Sequence, residues 1–257
     1  MSQQEVIEPG HHEPPAGPAL LEARGISKSY GAIQALDGVD FTVHAGEVVG
    51  LIGDNGAGKS TLIKVLCGAM APDAGVLRID GEQVTLRTPA QAQALGIDTV
   101  YQDLALFDDL SVAANVFAGR ERVRKSRLLK HREMNDFTRD LVETLGVDVP
   151  NPKTLVRNLS GGQRQAVALA RAAAFDSKIV FLDEPTAALS KGAAERMLEI
   201  IKDLREHGLG VVFIAHNIDH ILEASDRIVV LRRGLVVGER TASETDLREL
   251  VSLMVGG

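Results

Sequence analysis

Residues 48–63 read Val48-Val49-Gly50-Leu51-Ile52-Gly53-Asp54-Asn55-Gly56-Ala57-Gly58-Lys59-Ser60-Thr61-Leu62-Ile63, and this stretch decides the fold. It opens as an unbroken apolar run, as expected for a strand buried on both faces. Three glycines follow within six residues, at Gly53, Gly56 and Gly58. They allow the backbone to curl until several N–H groups point at one centre. Lys59 and Ser60 then open a segment in which Leu62, Ile63, Val65 and Leu66 recur at helical spacing.

Two further apolar runs, Ile179–Leu182 and Val211–Ala215, have the same character as Val48–Ile52. Between them the stretch 191–207 predicts a helix, with Met197, Ile201 and Leu204 on one face and Ser190 placed to cap it. Alternation of buried strand and helix implies an α/β core with a mostly parallel sheet. The second run ends in Asp183-Glu184-Pro185. Paired carboxylates at the C-terminal end of a buried strand need a reason, and that end is where ligands bind in an open parallel sheet.

Toward the N-terminus, apolar stretches at 20–24, 39–43 and 76–80 are punctuated by glycines and predict a small antiparallel sheet. Residues 1–19, with four prolines and no apolar run, read as a disordered tail; residues 20–257 form the folded domain. Strand signals vanish between about 103 and 165, where Ser111–Phe117 and Glu133–Leu145 read as helices of an inserted subdomain. The connector between them carries Arg120, Arg122, Arg124, Lys125, Arg127, Lys130 and Arg132. It can meet phosphates or anionic lipid, but with no aromatic interleaved the plainer expectation is a solvated connector.

The chain of 257 residues has a formal charge of −7, which argues against a nucleic-acid partner. Cys67 is its single cysteine, expected to be a small buried residue in a reducing compartment. No run is long enough to span a bilayer and no signal peptide is evident, so work at a membrane implies docking onto another chain.

Gly53-Asp54-Asn55-Gly56-Ala57-Gly58-Lys59-Ser60 fits the eight-position phosphate loop, with Thr61 following. A strand feeding in and a helix leading out is its required context. Lys59 then reaches the β- and γ-phosphates of a nucleoside triphosphate, and the Ser60 hydroxyl ligates Mg²⁺. Asp183 is suited to hold the same Mg²⁺. Glu184 is suited to polarise the attacking water as general base.

Leu159-Ser160-Gly161-Gly162-Gln163, ending 20 residues before Asp183, is the most specific segment. In this order with the phosphate loop and acidic strand, it resembles the signature of ATP-binding-cassette (ABC) ATPases. The resemblance covers nearly all of 20–257 and implies a P-loop NTPase core, an N-terminal antiparallel β subdomain and a helical insertion. It further implies ATP and Mg²⁺ as ligands. Tyr30 matches the aromatic that stacks on adenine, and Gln102 the glutamine that senses Mg²⁺ and the attacking water. His216, which lies 32 residues after Glu184, matches the histidine at the γ-phosphate. Ala187-Ala188-Leu189-Ser190 occupies the loop facing an opposing subunit; Ser190 stands where Asp is common, which puts one cross-dimer contact in doubt. Two cassettes are expected head to tail, each ATP clamped between one phosphate loop and the other copy's Ser160, Gly161, Gly162 and Gln163.

Gly53-Asp54-Asn55, Tyr101-Gln102-Asp103-Leu104-Ala105-Leu106 and Ile214-Ala215-His216-Asn217 resemble the ATPases of ribose-, xylose- and fructose-type monosaccharide importers. A single cassette implies pairing with itself or a related cassette. The implied partners are an integral membrane permease and, indirectly, a sugar-binding protein. The expected place is the cytoplasmic, inner face of the cell membrane. Leu104, Leu106, Phe107 and Leu110 can form an apolar groove for a helix of the permease, or be buried within the subdomain. Two other readings are a soluble cassette in DNA repair or translation, and a catalytically dead module. Intact Lys59, Asp183, Glu184 and His216 speak against the last.

Overall fold

The computed structural model describes residues 18–147, 149–187 and 189–256. Most of the tail expected over 1–19, and Ala188 of the opposing-subunit loop, lie outside the described residues. The chain opens with β1 (Ala19–Tyr30) and β2 (Ile33–His44), followed by β3 (Val48–Ile52) and α1 (Lys59–Leu66). Next come β4 (Ala74–Ile79), β5 (Glu82–Val84), α2 (Pro89–Ala94) and β6 (Ile97–Val100). The insertion carries α3 (Val112–Val116) and α4 (His131–Thr144), and leads into α5 (Gly161–Ala173). β7 (Ile179–Asp183), α6 (Lys191–Glu206), β8 (Gly210–Ile214) and α7 (Ile218–Ala224) restore the alternation. β9 (Arg227–Arg232), β10 (Leu235–Thr241) and α8 (Leu247–Val255) complete it.

Two sheets result. One is antiparallel with order β2-β1-β4-β5; the other has order β10-β9-β3-β8-β7-β6 and is parallel except at β10. The apolar runs do not alternate in polarity because both faces of the larger sheet are covered. Val48, Val180, Leu182, Val211, Phe213, Ile228 and Val230 pack toward the side of α5, α6, α7 and α8. Their neighbours Val49, Leu51, Ile179, Phe181, Val212, Ile214 and Val229 pack toward α1 and the antiparallel sheet. At Gly50 of β3, helix α7 comes so close that a Cβ would lie 2.6 Å from atoms of Ile221 and Ser225.

The helical insertion has its own core of Val112, Val116, Phe117, Met134, Val156 and Leu159, closed by Val167 of α5. Helix α5 therefore faces both cores. Ser190 occupies the N-cap position of α6 as expected, but its side chain makes no capping hydrogen bond. Cys67 is buried at 2% exposure, as its neighbours implied. Leu104 and Leu106 turn inward against the core, whereas Phe107 and Leu110 remain exposed, so the two alternatives left open for these residues divide between them.

The two sheets are joined by a buried ionic network that the sequence did not announce. Arg227, 1% exposed, donates through Nε to Glu47 Oε1 at 2.7 Å, through Nη1 to Glu239 at 3.0 Å and through Nη2 to the Thr42 carbonyl at 2.7 Å. Glu47 also accepts the His44 amide at 2.9 Å. Burial opposes its charge, yet the Arg227 guanidinium and His44 hold the Glu47 carboxyl below its ordinary value.

Candidate active site

Strand β3 ends at Ile52, and the loop that follows wraps to meet α1. Gly58 caps that helix with φ 109°, and a Cβ there would lie 2.6 Å from the Ala35 carbonyl, so only glycine fits. No side chain caps α1, which leaves its first-turn amides to the loop's interior. The loop is braced from behind by Gly234, whose amide donates to the Ala57 carbonyl at 2.9 Å. Lys59 bends across the loop, with Nζ donating to the carbonyls of Gly53 at 2.5 Å and Asp54 at 3.1 Å.

A cavity of about 280 Å³ is lined by Asn55, Gly56, Ala57, Gly58, Lys59, Ser60 and Thr61. On its far wall stand Asp183, Glu184 and His216. The sheet explains this meeting. β3, β8 and β7 are parallel neighbours, so the residues just past their C-terminal ends share one rim. Ala35 and Ile214 complete the lining; Ile214 stands in the run that leads to His216, whereas nothing in the sequence marks Ala35, since an apolar side chain carries no chemical signal.

His216 Nε2 lies 2.8 Å from Glu184 Oε1. Glu184 sits at φ 56°, a left-handed conformation rare for glutamate, held by its amide bond to the Ile214 carbonyl at 2.9 Å. Burial and the adjacent Glu184 carboxylate raise Asp183 above its ordinary value, with Lys59 opposing. Burial lowers Lys59, while Glu184, Asp54 and Asp183 push back. The rim thus concentrates charge that water does not fully solvate.

Asp183 and Ser60 present a carboxylate and a hydroxyl to one cavity, hard oxygen donors that fit a magnesium ion. No group of three or more His, Cys, Asp or Glu suited to a metal exists among the described residues.

Gly53 and Asp54 are not among the lining residues and bear on the cavity through their carbonyl bonds to Lys59; three further sets of expected residues lie elsewhere. Gln102 is exposed and lines a narrow cleft beside Asp183, Glu184 and Pro185, not the phosphate-loop cavity itself. Tyr30, 45% exposed at the end of β1, places its hydroxyl 2.9 Å from Met70 Sδ and is also outside the cavity. Ser160, Gly162 and Gln163 line a separate cleft with Gly146 and Arg196. There Ser160 Oγ accepts the Gln163 amide at 3.3 Å and Gln163 Oε1 accepts the Ser160 amide at 3.0 Å, a reciprocal cap. A Cβ on Gly161 would meet nothing within 4 Å, so this helix start is open to approach from outside.

Arg171 of α5, which the sequence did not single out, ties these parts together. Its guanidinium donates to the Leu104 and Ala105 carbonyls, both at 2.7 Å. The segment following Gln102 is thereby fastened to the helix that Ser160 caps.

A phosphate-binding loop facing two strand-end acids and a histidine, with a second glycine-rich helix start displaced from it, defines a nucleotide-binding ATPase cassette. The match to the ABC transporter family spans residues 36–187, and the chain belongs to that family. It is 47% identical to the xylose/arabinose import ATP-binding protein of Sulfolobus acidocaldarius, over 91% of this chain and 93% of that one. It is 44% identical to the fructose import ATP-binding protein of Rhizobium meliloti, over 92% and 94%. A ribose import ATP-binding protein of Rubrobacter xylanophilus matches at 44% over 92% of this chain but only 47% of its own length. Among solved structures, an ATP-binding cassette of an ABC transporter in its ADP conformation superposes with TM-score 0.81 at 26% identity, covering 93% of this chain and all of that one. A dimeric ABC cassette in a post-hydrolysis state, bound to ADP and Pi, superposes with TM-score 0.73 at 26% identity over 86% and 98%.

Proposed function

We propose that this chain is the ATP-hydrolysing subunit that powers a membrane importer for a monosaccharide. The observation that carries the reading is the convergence of Lys59, Ser60, Asp183, Glu184 and His216 on one cavity. The similarity to pentose and fructose import subunits over nearly their whole length supports the cargo class.

The roles follow from the geometry. The loop amides and Lys59 bind the triphosphate, and Lys59 leaves the Gly53 and Asp54 carbonyls to do so. Ser60 and Asp183 would hold Mg²⁺, and Gln102, in the adjoining cleft beside Asp183 and Glu184, is the further residue that family resemblance assigns to it. When bound, the ion neutralises charge developing on the phosphates. Glu184 accepts a proton from the attacking water, and His216, 2.8 Å away, holds that carboxylate and reaches toward the γ-phosphate. Tyr30 stacks on the adenine. Because Ser160–Gln163 open onto a different cleft, one chain does not present them to its own phosphate loop. A second copy, or a related cassette, supplies them head to tail, and ATP drives the closure. The solved dimeric cassette with ADP and Pi is the parallel for such a pair.

No helix among the described residues is long and apolar enough to cross a membrane. The similarity to import ATP-binding subunits supports a separate permease as the membrane partner. The site proposed for its docking helix is the groove between insertion and core lined by Phe107, Val116, Phe175, Arg120, Arg171 and Asp98. On this proposal the chain lies at the cytoplasmic face of the cell membrane, with a sugar-binding protein acting through the permease; the similarity to import ATP-binding subunits supports both. The relatives do not favour the reading of a soluble cassette in DNA repair or translation. Affinity capture of the chain from detergent-solubilised native membranes tests the assignment. A polytopic membrane protein recovered with two cassettes is expected; ribosomal or DNA-repair proteins alone would overturn the transport role and leave the ATPase standing.

A further inference from the structure

The basic connector between α3 and α4 is not a featureless loop. It folds as a hairpin in which the Arg124 amide donates to the Leu128 carbonyl at 2.8 Å and the Lys130 amide to the Arg122 carbonyl at 2.8 Å. Val123 and Leu129 pair across it. The turn Lys125-Ser126-Arg127 closes with Arg127 at φ 61°, the left-handed position of a three-residue hairpin loop.

Its surface combines two properties that solvated connectors rarely share. Residues 119–132 hold seven Lys or Arg and one Glu, a local charge of +6 on a chain of −7. Arg124, Lys125 and Arg127 at the tip make no ion pair among the described residues, whereas Lys130 and Arg132 pair with Glu133 and Asp136 of α4. Beside those cations Val123, Leu128 and Leu129 are 54%, 65% and 40% exposed. Aliphatic groups held in water next to unpaired cations suit the boundary between headgroups and acyl chains.

Two further arginines fix the hairpin's base. Arg120 lies 4.9 Å above the Phe175 ring, and Arg122 lies 4.9 Å above Phe137 and 5.3 Å above Phe117. The three rings pack together with centroids 5.1–5.7 Å apart. Those aromatics are engaged beneath the arginines and offer no stacking platform for bases, which argues for lipid over single-stranded nucleic acid. Arg120, which precedes the hairpin, also lines the groove proposed above for the permease helix.

We infer that the hairpin Arg122–Lys130 is a membrane-surface contact, in which Arg124, Lys125 and Arg127 bind anionic phospholipid headgroups and Leu128 inserts beside them. The choice of a membrane as occupant rests on the importer reading, but lipid binding by the chain itself is measured apart from transport.

The test is flotation of the full chain with vesicles of phosphatidylcholine alone, or with roughly a third phosphatidylglycerol, at low and physiological salt. The chain is expected to float with anionic vesicles only, less so as salt rises. Each removed cation weakens binding on the order of five-fold, so Arg124→Gln, Lys125→Gln, Arg127→Asn together lose on the order of a hundred-fold. Asn tolerates the left-handed turn position, which protects the fold. Leu128→Ser should weaken binding without altering its salt dependence. Basal ATP hydrolysis should be unchanged in both variants. Absence of flotation, flotation retained by the triple variant, or tighter binding of poly-dT through the same three residues would each overturn the inference. If flotation fails while membrane capture still recovers a polytopic partner, the lipid contact is wrong and the importer reading stands; flotation without such a partner gives the converse.

Discussion

His216 Nε2 stands 2.8 Å from Glu184 Oε1 at the rim where the parallel strands β7 and β8 end. Glu184 is mostly buried and His216 largely exposed, with side-chain exposures of 20% and 63%. The carboxylate is thus fixed by the fold, and the imidazole is the partner free to swing toward a bound phosphate. His216→Ala is expected to lower turnover about 100-fold, with little change in ATP affinity, since the group acts where charge develops. Phosphate release and nucleotide binding, measured side by side, check this.

Lys59 bends back onto the Gly53 and Asp54 carbonyls, and its ammonium is already partly desolvated. Lys59→Ala should leave the fold intact but abolish the melting shift that ATP and Mg²⁺ produce. At ligand concentrations 100 times Kd that stabilisation is about 2.7 kcal/mol, which thermal unfolding resolves easily. An unchanged shift in the variant would mean that triphosphate binds elsewhere.

Asp183 is a site where stability and function pull apart. Burial and Glu184 raise its carboxyl above the ordinary value, so the folded state holds its proton more tightly than the unfolded state. Stability therefore falls as pH rises from the ordinary value through the raised one, and the penalty persists at neutral pH. Asp183→Asn is expected to raise Tm without nucleotide by a few degrees, about 1 kcal/mol moving Tm by roughly 2–4 °C in a chain of this size. The same change should abolish Mg²⁺-dependent hydrolysis.

Glu47 shows the opposite sign. Its carboxyl lies below the ordinary value in the fold, so its contribution is present above the ordinary value and is lost as pH falls through the depressed one. Glu47→Gln leaves the buried Arg227 with Glu239 as its remaining carboxylate, so it should cost less than the roughly 3–5 kcal/mol of an uncompensated buried charge, with a loss of acid sensitivity in what stability remains. Denaturant unfolding at several pH values measures both effects.

Much of this architecture is legible along the chain because its physics is local. Val48–Ile52, Ile179–Leu182 and Val211–Ala215 announce a sheet covered on both faces, and the glycine spacing before Lys59 announces the loop. The rest depends on contacts that no local pattern carries. Arg227 reads as a surface residue, and its burial becomes possible only through Glu47, 180 positions earlier. Ser190 has the right residue type for a cap and the right place, yet makes no cap bond. The hairpin at 122–130 lacks the Gly or Asn that usually marks its turn, and Arg127 takes that position instead. Gln102 and Tyr30 stand outside the cavity, so their proposed roles rest on family resemblance and on closure around nucleotide.

The most direct measurement is phosphate release and molar mass in solution for Glu184→Gln with ATP and Mg²⁺. If Glu184 is the base of a site completed by a second copy's Ser160–Gln163, turnover falls by about 10²–10⁴ and an ATP-loaded dimer accumulates. Robust hydrolysis by this variant, or a chain that stays monomeric with ATP bound, would contradict the composite site.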